Sequence, residues 1–218
     1  MSTNITLSKS DFQLASSCPK KLVYKKQGYP TTNDTNEYME MLAKGGYVVG
    51  MMATLMYPEG IEITGNTKEA IEKTNEYLKN ENCVLFEAAI KSGEKLIRVD
   101  ILEKIGNKIN LIEVKAKSHD TEDEKYKQEK LLEKYIEDVA FQYLVMTEAL
   151  PDFEINPYLF MPDKSKRTGI DGLIGWFTVL DSKDDTDKEV EELPAQQKPR
   201  FKKPEVIFKY ETDVNRSS

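Results

Sequence analysis

Apolar positions fall into helical spacing in the first third of the chain and into strand-like spacing after it. Ser8 and Asp11 stand at capping-box spacing, with Leu7 and Phe12 at the positions of a hydrophobic staple, which predicts a helix starting at Lys9. That helix runs to about residue 26, and Pro19 marks a kink or a break into two pieces. Gly28, Pro30 and the polar run 31–36 read as a loop. Tyr38, Met41, Leu42, Gly45, Val49, Met52 and Met56 then repeat at helical spacing over about residues 37–56, ended by Pro58 and Gly60. Core packing is expected for this stripe, with Gly45 and Gly46 permitting a close backbone approach; an adaptable partner groove is the other use of such methionines. Residues 67–80 form a short amphipathic helix, a lid or a buttress.

Three strands follow. Residues 83–91 are rich in apolar side chains and end at the Ser92–Gly93 turn signal. Residues 95–104 alternate, with Ile97, Val99 and Ile101 on one face and Arg98 and Asp100 on the other. After a turn at Gly106–Asn107, residues 109–117 place Glu113, Lys115 and Lys117 on one face. The short links predict an antiparallel meander. The charged run 120–130 is a loop or the first turns of a helix defined by Leu132, Tyr135, Ile136, Val139, Tyr143 and Met146 and ended by Pro151. A fourth strand at 154–161, a basic turn at 163–167 and a fifth strand at 173–180 with the lone Trp176 complete a domain of residues 1–180. Residues 181–218 read as a charged linker or tail, acidic at first, then basic, with a possible terminal strand at 205–210.

Composition narrows the function classes. A chain of 218 residues with 39% apolar and 32% charged positions suits one elaborated globular domain. A net charge of −7 argues against a surface coated in nonspecific nucleic-acid contacts and leaves room for a local basic groove. The longest mostly apolar stretch, 47–57, is far shorter than the ~20 residues a membrane span needs, and the N-terminus lacks a secretory pattern. A cytoplasmic protein with no membrane partner is expected. Cys18 and Cys83 cannot form a disulfide framework, and His119, the only histidine, is expected in a solvent-facing loop. Any metal should therefore be a hard ion held by carboxylates.

The informative constellation is Glu87, Asp100, Glu113 and Lys115, with Gln142 downstream. Asp100 lies in the second strand of the meander and Glu113-Val114-Lys115 in the third, so adjacent strands bring the two carboxylates to one side. Hard divalent cations take such a pair and keep positions open for water and phosphate oxygens. Lys115 would point to the same side, to orient or deprotonate a water or to neutralise charge on a phosphate. By spacing alone, the same residues also suit a solvated sheet face.

The order helix, three meandering strands, long helix and further strand, with Val99-Asp100 and Glu113-Val114-Lys115 on strands two and three, resembles the PD-(D/E)XK nuclease superfamily. Leu7-Ser8-Lys9-Ser10, Cys18-Pro19-Lys20-Lys21-Leu22-Val23-Tyr24, the glycine-containing stretch 45–50 and Gln142 are similar to its RecB-like branch. They are also similar to an uncharacterised bacterial family with this N-terminal layout. The resemblance covers about residues 7–180 and implies an α/β, restriction-endonuclease-like mixed central sheet flanked by helices. It further implies a metal-dependent deoxyribonuclease of repair, recombination or defence. Asp100 and Glu113 would be ligands to Mg2+ or Mn2+, the Val114 carbonyl would complete the shell, Lys115 would be the catalytic lysine, and Gln142 would support it.

Departures accompany the resemblance. Gly50 stands where the branch usually places a metal-binding histidine, and Glu87 is the candidate replacement. The usual Gln-x-x-x-Tyr ends in Met146. No cysteine follows Cys83, so no iron–sulfur cluster is expected, and Cys18 becomes a buried small hydrophobe. Lys20, Lys21, Lys25, Lys26, Lys164, Lys166 and Arg167 can grip a phosphate backbone or simply face solvent. Phe12, Tyr24 and Tyr29 offer base-stacking surfaces, with core roles favoured for the first two. DNA, single- or double-stranded, is the expected partner, and a helicase or further nuclease domain is the candidate protein partner. The alternative function is a catalytically impaired nuclease-like module that binds nucleic acid or a partner protein.

Overall fold

Ser8 starts the fold as the sequence predicts. In the computed structural model, which describes residues 6–30, 37–122, 125–167 and Gly169, strand β1 (Leu7–Ser8) leads directly into helix α1 (Lys9–Ser17). The Ser8 hydroxyl accepts from the Asp11 N–H at 3.2 Å, while the Asp11 carboxylate accepts from the Ser8 N–H at 3.1 Å. Pro19 breaks the helix rather than kinking it. A residue before proline is driven out of the helical region, and Cys18 is extended (φ −169°, ψ 115°). It is half-buried rather than buried, and α2 (Pro19–Lys26) begins with the proline at its first turn. Lys25 and Lys26 return to Asp11 at 2.7 and 2.8 Å, so the buried carboxylate ties the two helices together.

Helix α3 (Glu37–Thr54) forms where expected but does not bury the stripe assigned to it. Tyr38, Met41, Leu42 and Met52 are exposed, as are Tyr47, Met51 and Leu55, and among the described residues Ala53 is the buried one that α3 gives to the core. The reason is visible in the sequence: α3 is apolar on most of its circumference, so periodicity does not choose a buried side. Nor do Gly45 and Gly46 admit a neighbouring backbone, because a Cβ at either would meet open space. Gly60 is the glycine that packing requires; a Cβ there would stand 2.1 Å from the Phe86 ring.

After β2 (Ile61–Glu62), α4 (Thr67–Tyr77) is a buttress, with Ala70 and Thr74 buried against the sheet. The Thr74 hydroxyl accepts from the Ala89 N–H at 3.0 Å, satisfying a strand donor from a helix side chain. The predicted meander is present: β3 (Asn82–Ser92), β4 (Lys95–Ile105) and β5 (Lys108–Val114) are antiparallel in sequence order. Helix α5 (Lys125–Ala149) links β5 to β6 (Glu154–Phe160), which is parallel to β5. The sheet runs β2-β3-β4-β5-β6, with β1 pairing alongside β4. This is a mixed α/β sheet flanked by helices. The predicted strand 173–180 with Trp176, the charged tail, the terminal strand 205–210 and the polar run 31–36 lie outside the described residues.

Two apolar clusters pack on the sheet. The larger joins Ile109 and Leu111 to Val139, Phe141, Val145 and Met146 of α5 and to Ala70 and Leu78. The smaller joins Val84, Ile101 and Ile112 to Ala53. Leu111 and Ile112 thus send consecutive side chains to different clusters, so both faces of the meander are covered, not one. Lys104, buried among these residues, donates to the carbonyls of Asn80 and Glu81 at 2.6 and 3.0 Å just beyond α4. Among the described residues, no helix is long and apolar enough to cross a membrane.

Asp11→Ala is expected to destabilise the protein by about 2–3 kcal/mol at pH 7, because it removes half of the capping box and the buried carboxylate that Lys25 and Lys26 share. Burial alone would raise the Asp11 carboxyl, but Lys25, Lys26 and Ser8 outweigh it and hold it well below the usual carboxylate range. The wild-type advantage should therefore be full above about pH 4 and shrink as pH falls. Urea unfolding of both proteins at pH 7 and pH 3 measures it.

Candidate functional site

Glu113 is the next residue in the β5 run Ile109, Leu111, Glu113, so it inherits a core position: it is 1% exposed and faces α5. An isolated carboxylate there would be strongly disfavoured. Three donors compensate it. Lys115 Nζ lies 2.6 Å and Lys9 Nζ 2.7 Å from its Oε1, and Gln142 Nε2 donates to Oε2 at 2.6 Å. Burial pushes the Glu113 carboxyl up, but Lys9 and Lys115 overcome it and hold it below its ordinary value.

Strand β5 ends at Val114, three residues short of the predicted end. Lys115 stays in line because its N–H donates to the Phe160 carbonyl at 2.9 Å, whereas Lys117 is exposed beyond the strand and does not join the site. The Lys115 side chain also reaches Asp138 Oδ2 at 3.1 Å and lies 5.7 Å from the centre of the Tyr135 ring. Burial disfavours its charge, but Glu113 and Asp138 more than restore it and raise its pKa. Asp138 is itself buried and accepts from Gln13 Nε2. It precedes Gln142 by four residues, one turn of α5, so a single helix face supplies both.

Asp100 lies beside this network. The β4–β5 register pairs Ile101 with Ile112, which sets Asp100 opposite Glu113 in the next position, and Asp100 Oδ2 accepts from the Val114 N–H at 2.7 Å. Burial and the Glu113 charge push the Asp100 carboxyl up to about 6, against a pull from Lys9 and Val114.

Glu87 stands across β3–β4 from Asp100. The ladder pairs Phe86 with Ile101 and Ala88 with Val99, yet Glu87 and Asp100 themselves do not pair. Glu87 has φ 55°, a conformation that costs a non-glycine residue free energy. The side-chain alternation breaks at the same place: the large cluster takes Leu85 and Ala88 from β3 and Val99 and Leu102 from β4, three residues apart rather than two. Arg98 Nη1 donates to the Glu87 carbonyl at 3.1 Å and to the Ile63 carbonyl at 3.2 Å, which fastens the distortion. Partial desolvation raises the Glu87 carboxyl; Arg98 and Lys9 pull it down, and Glu62 and Glu113 push it up.

Asp100, Glu113, Lys115 and Gln142 thus converge. Glu87 shares their electrostatic field, but among the described residues no three His, Cys, Asp or Glu side chains form a metal-binding cluster. Two carboxylates, Asp100 and Glu113, are the pair available to a metal. Their charge suits a hard divalent ion: each carboxylate raises the cost of ionising the other, and a cation between such groups relieves it. Among the described residues, Gln142 Oε1 is buried without a hydrogen-bond partner, a further acceptor on the side chain that meets Glu113.

Among the described residues, none of the expected basic contacts pairs with Asp100 or Glu113. Lys20 and Lys21 are exposed on α2; Lys25 is paired with Asp11, Lys164 with Asp120 at 3.6 Å and Lys166 with Glu122 at 3.8 Å. Phe12 stacks on Phe141 in the core at 4.6 Å, whereas Tyr24, expected there as well, is exposed 5.1 Å from Tyr29. His119, expected in a solvent-facing loop, is half-buried, and its N–H donates to the Pro162 carbonyl. Sequence reasoning missed Lys9, Gln13 and Asp138. The spacing of Asp138 to Gln142 was a usable signal; for Lys9 there was none.

Because the Asp100 pKa is raised from 3.8 in the unfolded chain to about 6 in the fold, this residue makes metal-free stability fall between about pH 4 and pH 6. Asp100→Asn keeps an acceptor for Val114 and removes that slope. It should stabilise the metal-free protein at pH 7 by roughly 1–3 kcal/mol and by nothing at pH 4, read from denaturant titrations.

No protein-family model, no curated protein and no solved structure matches the chain. The chemistry of the site therefore has to be argued from its own residues.

Proposed function

We propose that the chain is a metal-dependent nuclease that hydrolyses DNA phosphodiester bonds, of the PD-(D/E)XK superfamily and its RecB-like branch. The observation that carries this is the meeting of Glu113 and Lys115 at 2.6 Å at the end of β5, beside Asp100 on β4. The mixed α/β sheet with the order α4-β3-β4-β5-α5-β6 supports this reading. Gln142 reaches the same carboxylate from the following helix, as a supporting residue of that branch would.

Asp100 and Glu113 would hold Mg2+ or Mn2+, with the Val114 carbonyl and Glu87 as further candidates for its shell. When bound, the ion supplies Lewis-acid polarisation of the phosphate and a water of lowered pKa. Lys115, kept charged by Glu113 and Asp138, suits neutralising charge that builds on the phosphate oxygens. Asp138 and Gln13 position Lys115, and Gln142 positions Glu113. Lys20 and Lys21 on α2 offer exposed charge to a phosphate backbone.

A second reading, a nuclease-like interaction module of a larger assembly, draws support from α3. Its exposed Tyr38, Met41 and Leu42 lie on one side of the helix, and exposed apolar side chains of this kind mark protein interaction surfaces.

Incubation with single- and double-stranded DNA in Mn2+, Mg2+ or EDTA decides between them. The expected result is metal-dependent cleavage that falls by about 10²–10⁴-fold in Lys115→Ala, the range for loss of a positioned catalytic group. A folded protein that cuts neither substrate in any metal would overturn the nuclease reading in favour of the interaction module.

A further inference from the structure

The two lysines on Glu113 are not equivalent. Lys115 is shared with Asp138 at 3.1 Å and flanked by Tyr135, whereas Glu113, at 2.7 Å, is the only ion-pair partner of Lys9 among the described residues. The Lys9 side chain is also the more exposed of the two, 26% against 19%. Its backbone is fixed: Ser8 caps the helix that Lys9 begins, and β1 pairs Leu7 with Lys95 and Ser8 with Leu96. A lysine's four-carbon stem has the rotatable bonds to swing while such a main chain stays in place.

We propose that Lys9 is the built-in counter-cation of the metal site: it occupies Glu113 in the metal-free protein, gives it up to the divalent ion, and thereby sets the apparent affinity for metal. This role presupposes the two-carboxylate metal site proposed above. A divalent charge at Glu113 repels both ammonium groups, and the one that leaves is the one with less to lose. Release of Lys115 breaks contacts to two carboxylates; release of Lys9 breaks one and returns a partly exposed ammonium to water. Lys9 thus neutralises a buried carboxylate while metal is absent and competes with it while metal is scarce. The segment concerned, Leu7-Ser8-Lys9-Ser10, is the N-terminal motif of the chain, and its lysine gains a function besides starting a helix.

The test is Mn2+ binding to the chelator-treated full chain, followed by the electron paramagnetic resonance of free Mn2+, with no DNA present. Lys9→Met and Lys9→Gln should each bind Mn2+ about tenfold more tightly than wild type, since a competing state populated ~90% of the time lowers apparent affinity by that factor. Lys9→Arg, which keeps the charge, should stay near wild type, and Asp100→Asn should abolish binding. Circular dichroism verifies that each variant is folded. Binding by wild type that is unchanged or weakened in both neutral variants would overturn the role of Lys9 and leave the metal site standing. No Mn2+ bound by folded wild type or by either neutral variant would overturn the metal site itself, and the role of Lys9 with it.

Discussion

A carboxylate buried at the end of a core stripe is the constraint around which this protein is arranged. Glu113 occupies a place that an aliphatic side chain would fill at no electrostatic cost, and a lone charge in that setting would cost several kcal/mol. The structure offsets it by importing donors from three directions: Lys9 from the N-terminal helix, Lys115 from just past the end of the same strand and Gln142 from the helix after it. These demands help explain why α1 is brought against α5, through Phe12 on Phe141 and Gln13 on Asp138, and why α5 turns Asp138 and Gln142 inward among Val139, Val145 and Met146.

The neighbouring carboxylate is treated in the opposite way. Asp100 receives one backbone hydrogen bond and, among the described residues, no lysine ion pair, and it stands beside Glu113 with a pKa pushed up to about 6. Across the ladder Glu87 sits at positive φ where the alternation of both strands changes. A fold optimised for stability alone would have neither the repulsion nor the strain. Their coincidence in one place, with Arg98 fastening the distortion, is the pattern expected where local stability is given up for chemistry.

Much of the fold was legible along the chain because it is locally encoded. Ser8 and Asp11 announce a capping box with their own side chains, and Pro19 forbids the helical conformation to the residue before it. Gly93 and Gly106 close tight turns at positive φ, so the meander follows from spacing. Helix α3 was misjudged for a physical reason: where nearly every side is apolar, burial is decided by what the helix meets, and Tyr38, Met41 and Leu42 meet solvent. The single-face alternation assigned to β4 failed similarly, since Ile101 and Leu102 are both buried in a sheet covered on two sides.

The sequence by itself determined the carboxylate pair, the Glu-Val-Lys step and the glutamine that meets it, because strand and helix periods carry side chains to predictable faces. Only the tertiary structure decided that Lys9 closes on Glu113, that Asp138 and Gln13 hold Lys115 from behind, and that Glu87, exposed on its strand, is also strained. Lys9 and Glu113 are separated by 104 residues, and an ion pair across that distance leaves no periodic trace in either segment. It exists because burying one charge obliges the fold to find another, and geometry, not local propensity, chooses which one.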